Sequence, residues 1–155
     1  MLLIHWTKHN NTSAILQNGI NPALRTSVAE NLGIKGIWCF PYTRNKTLNI
    51  RWKSMLKIDR GSSNYNGLVF KLTKSDFPIY AGDLGVIRMA PDKRQFNSYK
   101  SFSKQYGHYF SPKTMSMEYS RKNEINGVPD YFDFEIILLK PIDATRIIKI
   151  LKDRH

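Results

Sequence analysis

The chain has 155 residues, 41% of them hydrophobic and 12% aromatic, so it holds enough apolar material for one domain with a real core and is not disordered throughout. Lys and Arg number 24 against 12 Asp and Glu, a net charge of +12 that points to a polyanionic partner, nucleic acid first. The single cysteine, Cys39, rules out an internal disulfide and a cysteine-based zinc site.

Membrane and metal roles are not expected. The run 1–4 has no basic flank and turns polar at once, unlike a signal peptide, and the longest aliphatic run, 136–139, is far too short to span a bilayer. No stretch sets a basic face against a strongly apolar one, so a lipid surface is a poor partner, and a soluble, cytoplasmic protein is expected. His5 and His9 stand four apart, a metal-ligand spacing only if both lie on one helix. The pattern puts His5 in a strand and His9 in a polar turn, so no metal is expected.

Residues 2–6 read as a short buried strand. Asn10, Asn11 and Thr12 then supply helix caps for residues 13–17, and Asn18-Gly19 ends that helix ahead of Pro22. An irregular connection leads to a strand at 36–40, closed by Pro41. From 44 to 58, Leu48, Trp52, Met55 and Leu56 fall at helical spacing, predicting an amphipathic helix studded with Lys and Arg. A Gly/Ser/Asn loop at 59–67 precedes short strands at 67–72, 79–81 and 85–90. Residues 91–130 show no sustained period. Asn126-Gly127 predicts a tight turn feeding a strong strand at 131–139, and residues 144–152 read as a closing helix with Ile147, Ile148 and Leu151 inward. The expected architecture is α+β, many short strands with two or three helices. There is no GxGxxG and no GxxxxGK[ST], so neither common phosphate loop is present.

Glu135 is the sharpest candidate for chemistry. Alternation puts Phe132, Phe134, Ile136 and Leu138 on one face of its strand, with Tyr131, Asp133 and Glu135 on the other. Two carboxylates on one side of a strand should lie at the margin of the core, where like charges perturb each other. The bland alternative is a strand whose outer face becomes wet near its start. Taken alone, His5 reads as a core histidine satisfied by a backbone carbonyl, and Trp38 and Phe40 as plain core aromatics. Tyr42 and Arg44 follow Pro41 on a turn where they can face a pocket.

Taken in order, these pieces resemble a known family. His5-Trp6-Thr7 before a capped helix, Gly36-Ile37-Trp38-Cys39-Phe40 leading into a helix, and Glu135 in a strand followed by Pro141-Ile142 resemble the ADP-ribosyltransferase superfamily. The match is to its His–Tyr–Glu branch and, at the C-terminal end, to DNA-targeting toxin members. It covers residues 2–58 and 131–151. The resemblance implies an ADP-ribosyltransferase-like fold of split small mixed or antiparallel sheets, with NAD as ADP-ribose donor. It also implies mono-ADP-ribosyl transfer to a nucleic acid, RNA or DNA, in a toxin-like protein that an antitoxin or immunity protein would restrain.

Carried over by position, the resemblance gives His5 the ribose of NAD and gives the Trp6-Thr7 backbone the nicotinamide amide. Trp38 falls where a stacking Tyr is expected, with Tyr42 as the other available ring. Glu135 matches the catalytic Glu. Asp133 stands where Glu or Gln helps choose the acceptor. The basic stretch 113–122, with Lys113, Tyr119, Arg121 and Lys122, lies where family members carry a target-recognition loop. Arg44 or Arg51, at the start of a helix, suits the pyrophosphate. A carboxylate beneath the sugar would stabilise the oxocarbenium-like charge that develops as nicotinamide leaves.

Four other functions compete. One is a metal-independent ribonuclease using His5 and His108. Another is an RNA 2′-phosphotransferase, which relies on arginines where Glu135 stands. A third is an ADP-ribosyltransferase acting on protein side chains. The fourth is a basic nucleic-acid-binding module without catalysis. Binding of NAD with release of nicotinamide separates the ADP-ribosyltransferases from the rest.

Overall fold

The computed structural model describes residues 1–24, 33–42, 53, 64–83, 87, 91–106, 124–125, 128–129 and 134–152. It is a mixed α+β arrangement around one antiparallel sheet. The strands in chain order are β1 (Leu2–Lys8), β2 (Ala23–Leu24), β3 (Lys35–Pro41), β4 (Tyr65–Lys71), β5 (Ile79–Asp83) and β6 (Gln95–Phe96). They are followed by β7 (Glu124–Ile125), β8 (Val128–Pro129), β9 (Phe134–Leu138) and β10 (Ile147–Leu151). Two α-helices are described, α1 (Thr12–Asn18) and α2 (Tyr99–Tyr106). The main sheet runs β10-β4-β1-β3-β9-β5-β6, with β2 adding to β3; β7 and β8 form a separate hairpin. In that hairpin Ile125 stands opposite Val128; Asn126-Gly127, where a tight turn was expected, lies outside the described residues.

The sheet is not continuous along its length. β1 pairs β4 over its whole span, Leu2 to Lys8, but pairs β3 only at Leu3↔Pro41 and Ile4↔Phe40. Beyond Ile4 the two strands part. The start of β3 is taken by β2 instead, at Ala23↔Gly36 and Leu24↔Lys35. The outcome is a fork between two half-sheets, β10-β4-β1 and β3-β9-β5-β6, joined at one end.

α1 packs beside this fork. A turn of 3-10 helix over His9–Asn11 leads into it. The Asn66 amide on β4 donates to Thr12 Oγ1 at 2.9 Å and to His9 Nδ1 at 3.1 Å, fastening the start of the helix to the sheet. At its other end Ile20 and Ile142 exchange backbone hydrogen bonds of 2.8 and 2.9 Å, tying the helix exit to the C-terminal segment. The helix and its glycine stop are where the sequence expects them, but Asn11 at the N-cap makes no side-chain capping hydrogen bond.

Other expectations are corrected. The C-terminal segment is not a helix: after one 3-10 turn over Ala144–Arg146 it forms the edge strand β10 on β4. Ile147, Ile148 and Leu151 fit a helical stripe, but β-branched residues suit a strand, and β4 offers an unpaired edge. Ile148 is left 62% exposed by that choice. Ile87 is helical where a strand was expected. The expected helix at 44–58 lies outside the described residues apart from helical Lys53. Among the described residues no helix is long and apolar enough to cross a membrane.

A partly buried ion pair locks the C-terminal turn. Arg146 makes a bidentate pair with Asp76, both bonds 2.7 Å, and also donates to the Lys71 carbonyl. Burial pushes the Asp76 carboxyl up, but the hydrogen bonds from Arg146 and Thr73 outweigh it and hold the group below its ordinary 3.8. A folded value below the unfolded one means the contribution is complete above the ordinary carboxylate range and drains as the pH falls through the folded value. The Asp76 side chain is 3% exposed and that of Arg146 is 26%. Arg146→Ala, which strands a buried anion, should therefore cost more than Asp76→Ala, which frees a cation able to reach water: about 3 kcal/mol for the former at neutral pH. Urea midpoints should show the Arg146→Ala penalty shrinking below pH 4 as Asp76 takes up a proton; a pH-independent penalty would deny the pair this role.

Candidate functional site at the fork of the sheet

Where β1 and β3 part, a cavity of about 560 Å³ opens, bounded by both strands and by α1. His5, Trp6, Thr7 and Trp38 all line it. Alternation explains how one strand offers both backbone and side chains. The Leu2 carbonyl accepts from Tyr42 on the β3 side, and the His9 amide donates to Asn64 on the β4 side. Even-numbered β1 residues therefore turn their N–H and C=O toward β3. The ladder to β3 stops at Ile4, so the N–H and C=O of Trp6 lie on the edge that borders the cavity.

His5 bridges the fork. Its Nδ1 stands 2.9 Å from the Trp38 carbonyl oxygen. A carbonyl only accepts, so Nδ1 carries a proton; when the ring is neutral, Nε2 holds the lone pair. The bond holds the imidazole across the opening, half-buried, at the point where the main-chain ladder gives way.

Glu135 lies two strands from His5, with β3 between them. The β3–β9 register pairs Trp38 with Ile137 and Cys39 with Ile136, so Glu135 projects from the same face as Trp38 and Phe40. It is 5% exposed, and both faces of β9 are buried. The sequence pattern put this carboxylate at the core margin; it is buried instead, on a strand flanked by β3 and β5. It does not line the fork cavity but stands one strand beyond the Trp38–Phe40 wall. Burial pushes the neighbouring Cys39 thiol well above its ordinary value, and the charges of Glu135 and Asp76 add to that. Phe134, the residue before Glu135, is held by Tyr106 of α2 with ring centroids 4.8 Å apart. Asp133 falls outside the described residues.

Tyr42 is placed elsewhere. Its hydroxyl accepts from Lys149 Nζ of β10 at 3.1 Å, and the same ammonium lies 5.5 Å from its ring centroid. It does not line the cavity. Of the two candidate rings, Trp38 is the one at the fork. Arg44, Arg51, Lys113, Tyr119, Arg121 and Lys122 lie outside the described residues.

The cavity also takes Lys8, Asn11, Asn18, Asn21 and Tyr65, none of which the sequence pattern singled out for binding. Asn11 reads as a cap and Tyr65 as part of a loop; only pairing with β1 turns residue 65 into a strand start. Among the described residues no three His, Cys, Asp or Glu gather as a metal site. No protein-family model matches this chain, and no curated protein matches it either.

Proposed function

We propose that the protein is an NAD-dependent mono-ADP-ribosyltransferase, toxin-like, with a nucleic acid as acceptor. The observation that carries this reading is the fork: a sheet split after Ile4↔Phe40, with His5, the Trp6 edge and Trp38 converging on one cavity. The N–H and C=O of one residue on a free strand edge match the C=O and NH₂ of a primary carboxamide such as that of nicotinamide. The Nε2 lone pair of His5 suits a ribose hydroxyl, and an indole face suits a cationic ring. In the reaction the bond between ribose C1′ and nicotinamide nitrogen breaks, its electron pair leaves with nicotinamide, and an acceptor oxygen or nitrogen attacks C1′ and gives up its proton. Glu135, on the face of Trp38, is the carboxylate that stabilises charge as the sugar becomes cationic, with the ribose lying across the Trp38 row toward β9.

Incubation with labelled NAD and separate pools of DNA, RNA and protein tests the reading. Label on a nucleic acid, with nicotinamide released, is the expected result. Label on protein alone overturns the acceptor, and no binding of NAD overturns the enzyme. The net charge of +12 further predicts that acceptor binding weakens steeply with salt. Replacing Lys113, Arg121 and Lys122 together by Ala should lower the slope of log affinity against log salt by roughly two to three, as each phosphate contact contributes nearly one. NAD hydrolysis should persist. An unchanged slope would mean that this stretch does not touch the acceptor.

A further inference from the structure

Lys8 of β1 is paired with Tyr65 of β4, and Trp6 with Gly67, so Trp6, Lys8 and Tyr65 rise from one face as immediate and diagonal neighbours. All three line the cavity. Tyr65 is 3% exposed, yet its hydroxyl has no hydrogen-bond partner, and neither has the buried Nε1 of Trp6. Native proteins seldom leave buried polar atoms unmade, because each forfeits its hydration without return. The indole is seated on Gly67, where an added Cβ would meet its Cζ3 at 2.9 Å and its Cη2 at 3.1 Å, so the ring is fixed by packing.

The chemistry of this corner is one-sided. An indole N–H only donates, an ammonium only donates, and a phenol donates to any anion placed before it. No acidic side chain lines the cavity among the described residues. Two groups that can only donate, one of them a cation, beside a phenol free to turn its proton outward, fit a group made of acceptor oxygens with negative charge. We propose that Trp6, Lys8 and Tyr65 form a phosphate subsite that receives the pyrophosphate of the dinucleotide. The dinucleotide rests on the ADP-ribosyltransferase reading; the preference for phosphate rests on the corner itself. It puts the diphosphate on the β1–β4 wall, beside the Trp6 edge, and leaves the Trp38 side of the fork to the nicotinamide ring.

Calorimetric titration of the full chain with ADP-ribose, inorganic pyrophosphate and nicotinamide tests this, for the wild type, Tyr65→Phe and Lys8→Ala. Tyr65→Phe keeps the ring and removes only the orphaned hydroxyl. Its affinity for ADP-ribose and pyrophosphate should fall about tenfold or more while nicotinamide binding stays unchanged. The same variant, free of ligand, should melt about 2–4 °C higher, because an unpaired buried group has gone. That pairing of higher stability with weaker binding is what a merely structural hydroxyl would not give. Lys8→Ala should weaken the same two ligands and flatten their salt dependence. Tyr65→Phe that melts lower and binds ADP-ribose as the wild type does would overturn the subsite, as would a wild type that binds none of the three probes. Pyrophosphate binding that depends on Tyr65, in a protein that takes neither NAD nor nicotinamide, would sustain the subsite and sink the ADP-ribosyltransferase reading.

Discussion

Glu135→Gln should lower ADP-ribosyl transfer and nicotinamide release by about 100- to 1,000-fold, the range seen when one preorganised electrostatic contact to a developing charge is removed, roughly 3–4 kcal/mol of barrier. Gln matches Glu in volume and shape, so the packing around a side chain 5% exposed is preserved. What disappears is the negative charge. A buried carboxylate between two strands is costly to keep, since burial disfavours the ionised form. Sites that hold such a group against that cost are enriched in functional residues. Labelled-NAD assays, run beside a thermal melt, separate the two roles: a folded, inactive variant identifies a catalytic charge, and a folded variant working near the wild-type rate removes Glu135 from the mechanism. The Cys39 thiol gives a second readout. It loses one of the charges that, after burial, hold it above its ordinary range, so its titration should move down while remaining elevated.

The parts of this fold legible in sequence are those set by local chemistry. β1, β3 and β9 announce themselves by apolar runs bounded by polar or proline residues, and α1 by its capping residues and Gly19. Elements decided by distant partners were not legible. β10 needed the open edge of β4, and Tyr65 and Asn66 became strand only by pairing with Lys8 and Thr7. α2 carried a signal that its serines obscured. Tyr99, Phe102 and Tyr106 fall at i, i+3 and i+7, and the Ser98 side chain accepts from the Ser101 amide at 3.2 Å as a cap.

The candidate site divides the same way. His5-Trp6-Thr7 and Trp38 stand out as residues, and their meeting at one cavity follows from where β1 leaves β3, a matter of register that no local pattern encodes. Glu135 stood out as a carboxylate in an apolar strand, but the depth of its burial depended on β5 covering the second edge of β9. Lys8 and Tyr65 carry no motif at all. Their interest comes from facing each other across a ladder and sharing a cavity wall.

Two glycines offer the clearest test of how α1 is held against the fork. Gly19→Ala should destabilise the protein by about 3–4 kcal/mol, and Gly33→Ala by about 1 kcal/mol. Both have positive φ, +79° at Gly19 and +66° at Gly33. The strain of placing Ala at positive φ is therefore common to both, and Gly19, with ψ near −171°, sits in a region that only glycine readily occupies. Surroundings make the larger difference. A Cβ on Gly33 meets nothing within 4 Å, whereas one on Gly19 collides with the Ile142 carbonyl oxygen and stands 3.2 Å from the Ala144 amide nitrogen. Those atoms are backbone and cannot rotate away, and the Ile142 carbonyl is the acceptor for Ile20. Relief requires α1 to move off the 142–144 segment. Ala14, Ile15 and Asn18 of that helix line the cavity, so the same displacement should weaken binding of NAD by Gly19→Ala in the fraction that remains folded. Urea midpoints give the first quantity and titration below the unfolding range gives the second. Equal losses for the two variants would mean that the helix exit is not pressed against the C-terminal segment. A destabilised Gly19→Ala that still binds NAD as tightly as the wild type would mean that α1 does not shape the cavity.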